Sequence, residues 1–509
     1  MDAHLDKLEK LTVEYVRENS SLIILAFLIT CAAFGYELFN FSLSIDEELK
    51  SFDSGGLDWI RAQRWGTFLL LKLFMPESLI PFYPTLVSLV FLITSGFLLF
   101  LIIEGDKISK IIFLLLFLTF PSTAYYMEFN TFNFAVSAGL ASVLSGVFFL
   151  KRFIETNSYR YVFLSVIFTT FSMSIYQSML SAWICVFFLY LLHKTLNGKI
   201  TGKIARDFVV AVSVISFSLI SYKVIAFLFM KFYKLTESNY LERFVGWTRN
   251  GYSQTIDTIV LYLVNHFTGN AFYGEKTFLS IWLIVPFIIL IIFRKRKISL
   301  KITGILFLIA VILSPFCIAI GLGFPLPVRS LVGLPLMIGG LAYMASLNAK
   351  KNLKYFFLIL SVFIALHNSF STTRLFYADY LSGQADRDFA NRILDRMYET
   401  DLPYDTRRPV PVVIIGEKGH TANTAFIRSE TFGSSFFEWE GGNPWRILSF
   451  IKLLGVQDFE VANMEQYSAA LKESEKMKKW PHKSSILYTG EIIIIKLGDV
   501  TAAQVKQVW

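Results

Sequence analysis

The chain has 509 residues, of which 54% are hydrophobic, 16% aromatic and only 17% charged, with a mean hydropathy of +0.53. Soluble domains carry nearer a quarter charged residues, and they cannot bury so many unbroken apolar runs of about 17–25 residues, the length a bilayer core demands. The net charge of +9 points to no nucleic-acid partner, since in a membrane chain basic residues collect between spans; the three cysteines (Cys31, Cys185, Cys317) all lie inside apolar runs, which excludes a disulfide framework and a zinc-ligand spacing.

Residues 1–20 are polar and helix-prone and lack the basic opening and small-residue cleavage site of a signal peptide, so the first span is expected to stay as an anchor. About eleven spans are expected, at 21–39, 79–103, 111–127, 132–150, 161–176, 178–193, 207–230, 277–293, 302–322, 331–347 and 355–370. The stretch WGTFLLLKLFM (65–75) is too short and too close to Pro76 for a span of its own and reads as a re-entrant or interfacial piece. With the N-terminus inside, the inward segments carry 20 Lys and Arg, five of them in RKRKISLK (294–301), against about nine in the outward loops. That is the positive-inside bias. It directs the loops 40–64 and 231–276, and everything after about 371, to the periplasm or cell exterior.

The tail is polar enough to fold in water. PVPVVIIGEKGH (409–420) and ILYTGEIIIIKLGD (486–499) read as buried strands, and 386–399 and 466–479 as helices with a polar face. The fold class is therefore mostly α: a multispan helical domain over 21–370 followed by an α/β domain over 371–509, with no internal repeat.

The first outward loop is unusually charged. FNFSLSIDEELKSFDSGGLDWIRAQRWG carries five acids (Asp46, Glu47, Glu48, Asp53, Asp58) and three bases (Lys50, Arg61, Arg64). Its first acids come only a few residues after the span, and Arg61, Arg64 and Trp65 return at the start of the next apolar run, so acids and bases can converge at one depth. The other outward tips are polar too: Glu128, Asn130 and Asn133; Tyr176 and Gln177; Arg329 behind two prolines; Arg243, Trp247 and Arg249. Arginine forks suit phosphate, a carboxylate suits a general base for a hydroxyl, and Trp and Tyr faces suit sugar rings. The combination fits sugar transfer from a lipid-linked phosphate, whose headgroup would lie at this depth. The plain alternatives are solvated loop charge for Asp46 and Glu47, a snorkelling arginine for Arg329, a helix cap for Glu128, and turn polarity for Tyr176 and Gln177. His266 and His367 lack further ligands nearby and read as structural.

IDEEL followed by W-x-x-x-Q-R-W-G, the YQS turn, P-x-R-S-L-x-G and FFEWEGGNPWRI near the C-terminus together resemble the membrane-embedded O-antigen glucosyltransferases of serotype conversion, encoded by prophages of enteric bacteria. That family usually shows an acidic pair in the first outward loop and a Gly-Arg before the second hydrophobic segment. Here the pair is Asp46-Glu47, and Gln63-Arg64-Trp65 stands where Gly-Arg is expected. The family is similar to the GT-C class of multispan transferases, which places its catalytic acid in this loop.

The resemblance implies an undecaprenyl-phosphate-glucose donor, made by a separate synthase and turned to the outer leaflet by a separate flippase. The acceptor it implies is a sugar hydroxyl of lipid-linked O-antigen at the bacterial inner membrane. Asp46 is expected to take the acceptor proton, with Glu47 as the other contender. A free aspartate is a weak base at neutral pH, so this role calls for burial and a neighbouring acid. Arg61, Arg64 and Arg329 are the expected donor-phosphate ligands. Trp65, Glu128, Tyr176, Gln177 and Arg243, with Trp439 and Asn443 of the tail, are the expected sugar contacts. One displacement would invert the anomeric configuration. No cofactor is required; some members of the class use a divalent cation at the donor phosphate, and nothing in the spacing here requires one. A flippase or transporter is the chief rival, against which intramembrane charges such as Lys72 and Lys223 are sparse and no two-fold repeat is present. An O-antigen polymerase or ligase is disfavoured by the α/β tail; a transferase acting on lipid A or protein stays open.

Overall fold

The computed structural model describes residues 2–52, 56–76, 80–198, 204–237, 245–249, 251–294, 297–399, 409–420, 427–455 and 459–508. The chain opens with the helix α1 (Asp2–Phe39), followed in the first loop by two short helices, α2 (Glu47–Lys50) and α3 (Leu57–Arg61). The bundle continues through α4 (Trp65–Phe74), α5 (Tyr83–Ile102), α6 (Lys107–Thr119), α7 (Ala124–Met127), α8 (Asn133–Thr156), α9 (Tyr159–Ile175), α10 (Met179–Leu196), α11 (Ile204–Phe232) and α12 (Tyr252–Phe267). It closes with α13 (Ile281–Phe293), α14 (Ile298–Leu313), α15 (Cys317–Leu322), α16 (Leu334–Leu347) and α17 (Lys351–Tyr398).

Each of the eleven expected spans falls on a helix of this series. Among the described residues eight are long and apolar enough to cross a membrane alone. The 111–127 span is a pair of helices bent by 43°, at Pro121, where the ring removes a backbone donor and breaks the ladder. The helices Tyr159–Ile175 and Leu334–Leu347 are apolar but, at 17 and 14 residues, fall short of the ~30 Å bilayer core. At 10 residues α4 is about 15 Å long, half a bilayer core, and it packs along α9. Within the segment 231–276, Tyr252–Phe267 is an amphipathic helix that carries His266.

The helix that carries the last expected span does not end at 370. It runs unbroken for 48 residues to Tyr398, about 72 Å, more than twice the thickness of a bilayer core, and it absorbs the separate helix expected at 386–399. Its far end belongs to the core of the α/β domain: Phe389, Ile393, Leu394 and Met397 pack with Val412, Ile414, Phe436 and Ile447.

That domain holds a four-stranded sheet in the order β2-β1-β4-β3. β1 (Val410–Ile415) pairs parallel with β2 (Phe459–Val461) and β4 (Ile493–Lys496), and β3 (Ile486–Tyr488) closes the edge antiparallel to β4. The apolar run expected as one strand at 486–499 is thus two, reversed about Gly490 (φ +93). β1 is apolar throughout and β4 is apolar up to Lys496, whose Nζ donates to Ser474 O and Met477 O, because both faces are covered. Val412, Ile414, Ile493 and Ile495 face α17 and α18 (Pro444–Leu453). Val413, Ile415 and Ile494 face α19 (Met464–Ser474), and α20 (Ala502–Val508) ends the chain.

The α/β domain is seated on one end of the bundle. Residues 427–437 enter that end: Phe432 is fully buried between Tyr125 and Phe376, Tyr125 Oη and Ser429 Oγ lie 2.6 Å apart, and Asp379 of α17 accepts from the Gly433 N–H at 2.9 Å. Ile45 of the first loop is in turn buried in the core of the α/β domain.

Candidate active site

Beside this junction lies a cavity of about 440 Å³. Asp46 and Arg64 from the first loop, Tyr176, Gln177 and Ser178 from the α9–α10 turn, and Arg329 and Ser330 from the turn before α16 line it. Trp59, Phe129, Phe132 and Leu326 supply its apolar walls. Five residues singled out from the sequence for carboxylate, phosphate or sugar chemistry therefore share one chamber.

The two arginines are held differently. Arg64 follows Gln63, whose φ of +60° is left-handed and turns the chain into α4. Its guanidinium stacks over Tyr176 (4.6 Å) and Trp59 (5.7 Å), and Nε donates to Gln177 Oε1 at 3.4 Å. Gln177 Nε2 donates to Ala62 O (3.1 Å) and Tyr222 Oη (3.0 Å), tying the YQS turn to the first loop. Arg329 lies over Phe129 (5.1 Å) and 3.9 Å from Glu430 of the α/β domain. Glu430 also accepts from the Val328 N–H, and burial pushes its carboxyl above the usual range while Arg329 opposes that shift.

The acidic pair splits. Asp46, at φ +82°, sits at the cavity wall with its side chain 54% exposed and paired with an arginine, so the burial expected to strengthen it as a base is not found. Glu47 is fully buried and faces the protein interior, where it accepts from the backbone N–H groups of Ser44 and Asn130. Burial pushes its carboxyl up to about 8, helped by repulsion from Asp379 and Glu48, against the pull of those two N–H groups. Glu128 is also outside the cavity, buried and bonded by Ser44 Oγ (2.8 Å) and Thr431 Oγ1 (2.7 Å). Burial, with Asp379 nearby, holds its carboxyl well above the usual range.

The remaining candidates lie apart. Arg61 is exposed on α3 and Trp65 is buried against Phe229 (5.8 Å, stacked), its indole donating to Tyr222 O. Trp439 packs against the core of the α/β domain, and Asn443 caps α18, accepting from the Trp445 N–H at 3.0 Å. Arg243 and Asp53 are outside the described residues. His266 is buried and paired with Glu275, and His367 is exposed on α17.

Arg446 went unremarked in the sequence. It is 6% exposed and donates to Asp46 Oδ1 (2.7 Å), Glu48 Oε1 (2.6 Å) and Glu440 Oε2 (3.0 Å). Burial pushes the Glu48 carboxyl up to about 7, and Arg446 restrains the rise. The one available signal was a lone arginine set among acids in FFEWEGGNPWRI. Among the described residues no three His, Cys, Asp or Glu side chains form a group that could hold a metal ion.

A family model described as Glucosyl transferase GtrII matches residues 35–346, and the chain belongs to this family. The match takes in every residue named as lining the cavity and stops short of Arg446 and the rest of the α/β domain. No curated protein and no solved structure matches the chain.

Proposed function

We propose that this glucosyltransferase moves glucose from polyprenyl-phosphate-glucose, the undecaprenyl lipid in bacteria, to a sugar hydroxyl of lipid-linked O-antigen, and does so in the 440 Å³ cavity on the periplasmic side of the inner membrane. The observation that carries the proposal is the presence of one carboxylate, Asp46, in the same chamber as two arginines, Arg64 and Arg329, and the aromatic faces of Trp59 and Tyr176. A phosphate anchored by its lipid tail meets the arginines, and the sugar lies against the aromatic walls. Lys and Arg clustered on the inward segments support the orientation.

Asp46 takes the proton of the acceptor hydroxyl as that oxygen attacks the anomeric carbon. The acceptor O–H bond breaks and a carboxyl O–H forms. The new C1–O bond forms as the C1–O bond to phosphate breaks, and the bonding pair leaves with the lipid phosphate, where Arg64 and Arg329 meet the charge as it develops. A single displacement inverts the anomeric centre. The rest is positioning, and no step is routed through a metal ion.

The test is transfer in membranes supplied with polyprenyl-phosphate-glucose and lipid-linked O-antigen, at matched protein level. Asp46→Asn is expected to lower the rate by about 10²–10⁴-fold. Wild-type transfer that survives Asp46→Asn intact removes the base assignment. A wild-type protein that transfers nothing removes the donor or acceptor, and a product of retained configuration removes the single displacement.

A further inference from the structure

The contacts of Arg446 go beyond docking one domain on another. Its guanidinium is buried and bonds carboxylates of two separate segments, Asp46 and Glu48 from the first loop and Glu440 from its own domain. Nη2 serves both Asp46 Oδ1 (2.7 Å) and Glu440 Oε1 (3.3 Å). A buried ion pair is weak evidence for stability, since well-packed apolar residues fill such a place as well or better. Three acids about one arginine therefore call for another reason.

The backbone adds one. Among the described residues seven non-glycine residues have positive φ, and four of them, Asp46, Gln63, Glu430 and Glu440, stand in or directly beside the residues that hold the cavity's charges. Strained conformations persist where the surroundings over-determine them. At Asp46 the surroundings are explicit: Ile45 is locked in the α/β core, Glu47 is held by the Ser44 and Asn130 N–H groups, and Glu48 is buried on Arg446. Only the Asp46 side chain is left at the cavity wall, and Arg446 grips it by one oxygen.

We infer that Arg446 of the α/β domain is a positioning residue for the transfer reaction, holding Asp46 by Oδ1 so that the acceptor proton is taken by Oδ2. The inference rests on the reading of Asp46 as the base. The α/β domain thereby completes a site whose other charged residues come from the bundle, and a bundle without it has a carboxylate but no fixed aim for it.

The test compares kcat and donor KM for wild type, Asp46→Asn, Arg446→Gln, Arg446→Lys and the Asp46→Asn/Arg446→Gln double variant, with unfolding midpoints in detergent. Misplacing a reacting group by about 1 Å costs about 10²-fold, so Arg446→Gln is expected to lower kcat by about 10–100-fold with donor KM little changed. Arg446→Lys keeps the charge and the docking but loses the fork; it is expected to fall between the two, and it carries the test should Arg446→Gln not fold. The double variant is expected to transfer no more slowly than Asp46→Asn, because Arg446 acts through Asp46. An active wild type, a disabled Asp46→Asn and a fully active or faster Arg446→Gln would overturn the positioning role and leave the proposed transfer standing. Equal additional loss in the double variant assigns Arg446 to docking alone and overturns it too. Full activity of Asp46→Asn overturns both readings together.

Discussion

The hydroxyls of Tyr176 and Ser330 lie 2.6 Å apart, joining two turns 154 residues distant in the chain. One turn presents Gln177 and the ring under Arg64; the other presents Arg329. Tyr176→Phe removes this tie and keeps the ring. A buried hydrogen bond contributes about 1 kcal/mol, so kcat/KM is expected to fall about fivefold. Tyr176→Ala also removes the surface under Arg64 and is expected to cost more, read as a further rise in donor KM. Equal kinetics for all three proteins would show that the turns hold their places without Tyr176.

Arg64 and Arg329 approach the cavity from different elements, so their losses should be separable. Alanine at either position is expected to lower kcat by about 10²–10³-fold, the range for removing one donor aimed at developing charge. Lysine should recover Arg329 better than Arg64, because Arg64 uses a planar group on Tyr176 and Trp59 as well as its charge. Steady-state rates against donor concentration decide this, and a full recovery by lysine at Arg64 would remove the stacking argument.

The buried acids predict how stability varies with pH. Glu47 titrates at about 8 in the folded protein against an ordinary 4.5, and Glu48 at about 7. Between those limits the folded state holds protons that the unfolded chain has released, so stability falls as pH rises. The unfolding midpoint in detergent is expected to be highest near pH 5 and to decline toward pH 8. Glu47→Gln should flatten that decline at the cost of one backbone hydrogen bond. A midpoint that rises over the same interval would contradict the burial of these carboxyls.

Gly66 lies where α4 meets α9. A Cβ there would stand 2.2 Å from Ser174 Oγ and 3.1 Å from the Ser174 carbonyl carbon. Gly66→Ala is expected to destabilise by about 1–3 kcal/mol through overpacking, and Ser174→Gly in the same chain should recover part of the loss. The measurement is the detergent unfolding midpoint of the single and double variants. Since Trp65 and Arg64 precede this glycine, transfer should fall with it.

One departure from the family pattern has a structural explanation. Gln63 occupies the place where glycine is expected before the arginine, and it takes the left-handed backbone that glycine favours. Its side chain binds Lys223 Nζ (2.5 Å) and Glu237, contacts that can offset the strain. The arginine is delivered to the cavity either way.

The helices, the polar tail and the charged turns between apolar runs were legible in the sequence because each depends on a short window. Twenty apolar residues must cross a bilayer wherever they occur, and Asp46, Arg64, Tyr176, Gln177 and Arg329 stand out as polar groups at the ends of such runs. Where helix α17 stops was not legible, since its polar second half is held helical by packing on the sheet of the α/β domain. Nor was the division of labour within Asp46-Glu47. One residue of backbone turned left-handed by its surroundings sends the first side chain to the cavity and the second into the interior. The partnership of Arg446 with Asp46 spans 400 residues, and no local pattern specifies it. Periodicity and composition decide what a segment is; which charges meet is decided only when the helices and the sheet close around them.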